Sequence, residues 1–409
     1  VSSQAEAQTE SQPAPVNWGI KTVMLTGGVS VAITLGALSP VLPKIDAALA
    51  RTPNDSLLIK LLATIVGLTM VVGAPVTGIL IDRIGVRSIL IVACVAFAIA
   101  GTAGLYLESL PALIASRLLL GFFAASIATV SMTLINSRLD AGDRAKWMGG
   151  HVAIATIGGL ILSPIAGLLG EISWRGPFAL YTAGLLLAVI AIYGVDNWRP
   201  ASRASSAVAS QPVWAWFPAR YALLAICIGS ITYLPLVYLP FLARDAGVTS
   251  PFIISLVLLA DTTLTAIMAT LFGRFRRPIS PQAAFAFSFM CTAIGMSITA
   301  LSPSFLGIIV GMMVVGTGVG WFVPNLMTAA AKCVTANQQG RTVGLVKAAH
   351  YFAAPLCTVM VEPLTRQVGP KGAMLAGAGL SLCLLVVFGY QLAAHLAGGA
   401  RMHSGEAPQ

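Results

Sequence analysis

The sequence predicts an all-α membrane protein, with twelve transmembrane helices in two pseudo-symmetric six-helix bundles. Three observations predict it. The 409 residues are 57% hydrophobic and only 9% charged, against roughly 25% charged in an average soluble domain, so the chain lacks the polar groups to coat a soluble surface. Apolar runs of about 20 residues, enough to cross about 30 Å of hydrocarbon, recur twelve times along the chain. One polar stretch, residues 197–218, divides them six and six.

Residues 1–17 (VSSQAEAQTESQPAPVN) are polar and rich in Gln, Ser, Ala and Pro, and are expected to form a disordered cytoplasmic tail. The first run, 18–43, lacks a preceding basic segment and a cleavage site, so it reads as a retained helix and not a signal peptide. Pro40 and Pro43 weaken its end. Runs at about 57–81, 88–107, 110–135, 147–170 and 177–196 complete an N-terminal bundle, 18–196. Residues 197–218 (NWRPASRASSAVASQPVWAWFP) read as a cytoplasmic linker whose Trp pair suits the membrane interface. Runs at about 219–242, 252–273, 282–301, 304–331, 342–364 and 371–396 form a C-terminal bundle, 219–396, followed by a cytoplasmic tail, 397–409.

Basic charge orients these runs. With the N-terminus inside, about fifteen Lys and Arg fall on inside loops and about seven on outside loops, which puts both termini in the cytoplasm and the protein in the cytoplasmic membrane. Only Arg117 and Lys347 fall within helices. The net charge of +10 is scattered singly between apolar runs, without forming a face, so no nucleic-acid partner is expected. The six cysteines (Cys94, Cys227, Cys291, Cys333, Cys357, Cys383) show no C-x-x-C spacing and are expected to be buried free thiols, with no disulfide and no metal site. No Ser-His-Asp arrangement, zinc signature or nucleotide loop is present; GTGVG at 316–320 lies inside an apolar helix without a following Lys-Ser/Thr. Neither catalysis nor a bound cofactor is expected.

The stretch from Gly67 to Arg87 (GLTMVVGAPVTGILIDRIGVR) begins as an apolar helix and ends in a knot of Gly78, Asp82, Arg83, Gly85 and Arg87. With the next run starting at Ser88, the two helices must form a tight hairpin, where glycines let the backbone turn and the acid and bases can pair. The halves also resemble each other. Aligning the segment from Arg117 with that from Met312 matches Gly121 to Gly316, Met132 to Met327 and, with a small gap, Arg144 to Arg341, an offset of about 190 residues. Such duplication is the sequence sign of a transporter that rocks two bundles about a central site.

These features resemble the major facilitator superfamily over essentially the whole chain, and more narrowly its twelve-helix drug:proton antiporter branch. Gly78, Asp82, Arg83, Gly85 and Arg87 match the superfamily's loop signature G-x-x-x-D-R-x-G-x-R, and Arg117 with Gly121 matches the fourth-helix signature R-x-x-x-G. In the fifth helix Gly150, Gly159, Pro164 and Gly167 follow the antiporter signature, with Ser163 and Leu168 where that signature has glycine. The Trp174-Arg175-x-x-Phe178 sequence beyond it also resembles that branch. The resemblance implies the major facilitator fold, a monomer, and proton-coupled alternating access, usually for export, with the loop and fifth-helix residues in conformational roles. It also implies a role in proton coupling for Arg117; the residues alone leave open a guanidinium satisfied by backbone carbonyls.

Ionisable groups at membrane depth carry the remaining chemistry. Asp261 lies near the middle of the eighth helix, where a bare carboxylate costs about 2.5–3.5 kcal/mol on insertion scales. It can take a proton on one side and release it on the other, or pair structurally with a base or with Thr262 and Thr263. Lys347, His350 and Tyr351 share one face of the eleventh helix by their i, i+3 and i+4 spacing. They would offer a cation, a titratable imidazole and a hydroxyl, unless Lys347 snorkels to the surface. A Lys347–Asp261 ion pair would be a natural switch. His151 reads as a packing or interfacial histidine. Tyr233, Trp321 and Phe322 are aromatic candidates for a substrate cavity, and Pro235, Pro240 and Pro324 for kinks.

The expected function is a proton-coupled transporter exporting a small organic compound, with the proton gradient as its energy source and substrate, protons and lipid as its partners. Asp261, Arg117 and His350 are the candidates for proton coupling; Lys347, Tyr351, Tyr233 and Trp321 are those for substrate binding. Import of an anionic metabolite, with Lys347, His350 and Arg117 supplying a positive field, is the first alternative. A transport-inactive membrane sensor or scaffold is the second.

Overall fold

The computed structural model describes residues 16–196, 198–199, 217–275 and 279–403. Among them, twelve helices are long and apolar enough to cross a membrane, and no strand occurs. They are α1 (Trp18–Leu49), α2 (Pro53–Ile84), α3 (Val86–Leu105), α4 (Leu110–Arg138), α5 (Gly142–Ile172), α6 (Gly176–Gly194), α7 (Ala219–Asp245), α8 (Pro251–Arg274), α9 (Pro281–Leu301), α10 (Phe305–Lys332), α11 (Gln338–Val368) and α12 (Lys371–Ala393). Nearly all of the expected tail 1–17 and most of the expected linker 197–218 lie outside the described residues. The last helix continues to His403, past the expected end at 396.

Short polar residues start several helices. Thr52 Oγ1 accepts from the Asp55 N–H, and Asp55 Oδ2 accepts from the Thr52 N–H at 2.8 Å. This reciprocal cap leaves Pro53 at the first helical position, where its missing N–H has no partner to lose. Ser280 caps α9 just before Pro281, and Ser304 caps α10.

The α1 span is segmented. Its helical pieces Trp18–Thr26 and Val29–Gly36 meet at Gly27 and Gly28, and a 3₁₀ turn, Ser39–Val41, precedes Leu42–Leu49. Pro40 and Pro43 explain the second interruption, because neither can donate the hydrogen bond that would carry the helix on. At the first, α1 lies so close to α4 and α5 that a side chain on Gly27 would overlap Ser131, and one on Gly28 would stand 2.8 Å from His151 Nε2.

Between α2 and α3 the chain turns at Gly85, whose φ of +96° is a conformation L side chains rarely adopt. The expected charge pairing within this hairpin does not form. Asp82 and Arg83 are exposed, and among the described residues Asp82 makes no ion pair. Arg87 instead donates to the Ile192 carbonyl of α6, and the Val86 N–H donates to the Trp198 carbonyl. Gly78 has open space where a side chain would stand.

Two cores result. Ile20, Met24, Leu90, Phe97, Leu120, Ile127 and Tyr181 pack inside α1–α6. Phe285, Phe289, Phe322, Met296 and Met312 pack inside α7–α12, with Phe388 against Phe285 and Phe289. Large apolar side chains such as Leu186, Tyr193, Val386 and Tyr390 remain exposed, as lipid-facing helices require. The cysteines differ from expectation at two places: Cys333 and Cys383 are exposed, and all six are free.

The C-terminal core does not stop at its own bundle. Val41, Leu42, Ile45, Ile59 and Leu62 of the N-terminal half join it beside Tyr238, Leu239 and Phe241. Around this seam, at the end carrying the α1–α2 and α11–α12 connections, polar contacts tie the bundles together. Lys60 Nζ pairs with Glu362 Oε2 at 2.8 Å, with side chains only 12% and 5% exposed, and lies over the Tyr238 and Phe241 rings. Arg366 bonds Glu362, the Pro53 carbonyl and Asn54. Arg244 pairs with Asp46, and Ser250 and the Phe252 N–H donate to Glu171. At this end Gly167 of α5 meets α8 so closely that a Cβ would stand 2.5 Å from Ser255 Oγ and 2.9 Å from the Pro251 carbonyl oxygen.

Candidate functional site

On the other side of this seam the bundles part around a cavity of about 740 Å³. Its wall is mostly small and apolar: Gly28, Ala32, Gly36 of α1, Ala125 and Ala128 of α4, Ala155 and Gly159 of α5, Ala266 and Ala269 of α8. Small residues at these positions leave the room, since helices that touch at one end and diverge at the other enclose space only where side chains do not refill it. A few polar groups interrupt the apolar wall, among them Thr129, Thr156, Ser163, Thr232, Thr262 and Thr265. Several of these hydroxyls already donate to the carbonyl one turn back, as Thr262 does to Leu258.

Asp261, Lys347 and His151 are the ionisable groups of the wall that carry or can readily take up charge. Asp261 sits on α8 against α10, where a Cβ on Gly316 would stand 3.0 Å from its Oδ1. Among the described residues this oxygen has no hydrogen-bond partner. Lys347, on α11, is exposed to the cavity, and its ammonium lies 5.7 Å from the centre of the Tyr351 ring. The expected Lys347–Asp261 ion pair is absent: neither side chain forms an ion pair among the described residues. A carboxylate and an ammonium thus line one cavity, each without a counter-ion among the described residues.

His151 reads from the sequence as a packing or interfacial histidine, and the structure places it on the cavity wall. It is 4% exposed, and its Nδ1 lies 2.7 Å from the Met24 carbonyl. That oxygen can only accept, so Nδ1 must carry the hydrogen and Nε2 the free lone pair.

Other expected site residues are placed elsewhere. Tyr233 and Tyr351 line the cavity. His350 does not: its ring turns to α7, where a Cβ on Gly229 would stand 3.2 Å from its Nδ1, and it packs 5.3 Å from the Tyr233 ring. Trp321 is also outside, packed between Phe272 at 5.6 Å and Phe287 at 4.9 Å. Arg117 is 0% exposed inside the N-terminal bundle. It donates to the Gly101 carbonyl at 3.0 Å and the Tyr181 hydroxyl at 3.1 Å and stacks on Phe178 and Tyr181, with no opening to the cavity. This is the arrangement of a guanidinium held within its own bundle, with both terminal nitrogens bonded and Nε without a partner among the described residues. Of the fifth-helix residues, Gly159 borders the cavity, Gly150 packs near Leu25, Pro164 stands inside the helix, and Gly167 makes the contact with α8.

Residues 24–358 match the Major Facilitator Superfamily. The chain belongs to that family. Among relatives of this superfamily member, the bacillibactin exporter of Bacillus subtilis is 32% identical over 168 residues, 39% of this chain and 41% of that one. A class B tetracycline resistance protein of Escherichia coli is 29% identical over 168 residues, 41% of each chain. The class G tetracycline resistance protein of Vibrio anguillarum is 31% identical over 148 residues, 36% of this chain and 37% of that one. The matches thus span well under half the length of these relatives. Solved structures of similar fold include the nucleoside transporter NupG, with a TM-score of 0.74 at 15% identity over 91% of this chain and 98% of that one. The inward open conformation of the xylose transporter XylE from Escherichia coli gives 0.72 at 14% identity over 90% and 95%. At such identities the likeness is one of fold.

Proposed function

We propose that this superfamily member is a proton-coupled secondary transporter of the cytoplasmic membrane, with both termini in the cytoplasm, that exports a small organic compound by alternating access. The observation that carries the reading is Asp261: a carboxylate without a partner on the wall of an apolar cavity between two bundles. A carboxylate that no cation holds can bind and release a proton without first breaking an ion pair. The mostly apolar wall suits an organic cargo larger than a simple ion. Export draws its support from relatives named as a bacillibactin exporter and tetracycline resistance proteins. The proton gradient is the energy source, no other cofactor is invoked, and a single copy of the chain contains the whole cavity.

In this reading the seam at Lys60 and Glu362 closes one side of the cavity, and transport requires it to open as the opposite side closes. The test is proton movement in sealed inside-out vesicles under an imposed pH gradient, with a panel of lipophilic drugs and organic acids. Some compound is expected to dissipate the gradient with the wild-type protein and not with Asp261→Asn. Equal behaviour of the two would remove Asp261 as the proton carrier, and no proton movement with any compound would sink the coupling.

A further inference from the structure

His151 and Lys347 occupy equivalent places in the two halves. The internal alignment that matches Arg144 to Arg341 brings His151 onto Lys347 at nearly the same offset. Each lies nine residues into its span, His151 past Gly142 and Lys347 past Gln338, which puts both about 14 Å along their helices from the same end. They therefore line the cavity at about one depth, one from each bundle. Asp261, on the same cavity wall, is thirteen residues from the same end of α8, about 20 Å in, so it stands deeper than the pair.

The chemistry of the pair is specific. Lys347 offers three N–H donors and a positive charge that no anion among the described residues pairs with. His151 offers the Nε2 lone pair, because its Nδ1–H is committed to Met24. A base and a cation at one depth of one cavity suit one kind of group, an acidic hydroxyl. It can donate to Nε2 while its oxygens meet Nζ. It can also pass its proton there: the ligand O–H bond breaks, an N–H bond forms, and the new oxyanion is held between imidazolium and ammonium. The Tyr351 hydroxyl is in reach of the same wall, and the surrounding alanines and glycines accept the rest of an apolar body.

From this geometry we infer that His151 and Lys347 together form the head-group subsite of the cavity, and that its ligands are organic acids, carboxylic or phenolic, carried on an apolar body. The subsite rests on the reading of the cavity as the transport site, and it is made by both halves at once. A head group gripped from α5 and α11 draws the two bundles together on the side away from the Lys60–Glu362 seam. Acid binding thereby favours closure of that side.

The inference is tested on binding alone, with the full chain in phosphatidylcholine nanodiscs at one fixed pH and empty nanodiscs as the blank. Three probes share one two-ring body: 2-naphthoic acid, 2-naphthalenemethanol and 2-naphthylmethylamine. Titration calorimetry is expected to give the acid a Kd about 10- to 100-fold below that of the alcohol, with the amine weakest. In Lys347→Met the advantage of the acid disappears while the thermal unfolding midpoint stays at the wild-type value, which shows the variant to be folded. His151→Gln loses part of it. Equal affinity for acid and alcohol in the wild type, or an acid preference that survives Lys347→Met, overturns the subsite. Absence of binding by all three overturns it together with the cavity reading. An acid preference in a protein that moves no protons in vesicles leaves the subsite standing and removes the proton-coupled transport reading instead.

Discussion

The seam beside the cavity makes the sharpest mechanical prediction. Lys60 is held by a 2.8 Å pair with Glu362 and by the Tyr238 and Phe241 rings, and it comes from the opposite bundle to all three. Lys60→Met keeps the length and apolar stem but removes the charge. Breaking a fully buried pair costs about 3–5 kcal/mol when the other charge is orphaned. Here it is not, because Arg366 and Thr365 still bond Glu362 from its own helix. What is lost is one charge-assisted hydrogen bond across the interface, about 2 kcal/mol, and that loss falls only on the state in which the seam is closed. It corresponds to about a 30-fold shift of the equilibrium toward opening, so a protein closed 99 times in 100 becomes closed about three times in four. Spin labels at Arg51→Cys and Gln367→Cys, both exposed positions on opposite bundles, placed in a background without the native cysteines, read the change as a second, longer population in pulsed dipolar spectroscopy. An unaltered distance distribution in Lys60→Met would refute the claim that this pair holds the bundles together.

Two further substitutions separate structural from conformational roles. Gly167→Leu places a side chain where Ser255 and the Pro251 carbonyl already stand, and the same pair of labels is expected to report a separated end, more strongly than in Lys60→Met. Arg117→Ala removes a fully buried side chain and leaves the Gly101 carbonyl and Tyr181 hydroxyl without their donor, so a loss of about 3–5 kcal/mol is expected; thermal unfolding in detergent should fall by far more than for Asp261→Asn, and an Arg117→Ala protein of wild-type stability that fails only in proton coupling would restore its role in the cycle.

The sequence carried the number and order of the spans because hydrophobic length is a one-dimensional signal, and it carried the α2–α3 hairpin because Gly85 has to take a positive φ. It could not carry direction. These helices are apolar almost all round, so periodicity does not distinguish a face turned to lipid from one turned to a neighbour or to the cavity. His350 and His151 illustrate the consequence. His350 lies deeper, and depth invited a functional reading, yet its ring turns to α7. His151 lies near a helix start and borders the cavity, because α1 breaks at Gly27 and Gly28 beside it. Trp321 suits a substrate cavity by its chemistry, yet it is packed among Phe272 and Phe287. The Lys60–Glu362 pair joins residues some 302 positions apart, a separation over which one sequence gives no sign of contact. One signal did exist for His151: its alignment with Lys347 under the internal repeat, which becomes informative only once one of the two is known to face the centre.

The unpaired charges of the cavity also bear on how the membrane potential acts on the protein. A carrier that turns its cavity from one side of the bilayer to the other moves the charges inside it through the field, at about 2.3 kcal/mol per elementary charge per 100 mV. Arg117 is sealed within one bundle and contributes a charge that no change of access exposes. Lys347 and Asp261 are different, since both line the cavity, which in the proposed cycle opens to alternate sides. With Asp261 ionised the two sum to zero, and the empty carrier reorients without electrical work. Adding a proton alone leaves one positive charge and makes that step voltage-sensitive, whereas a proton together with an organic anion restores neutrality. In the proposed cycle the acid and base of the cavity therefore act as a ballast, deciding which loaded forms of the carrier feel the voltage and which do not.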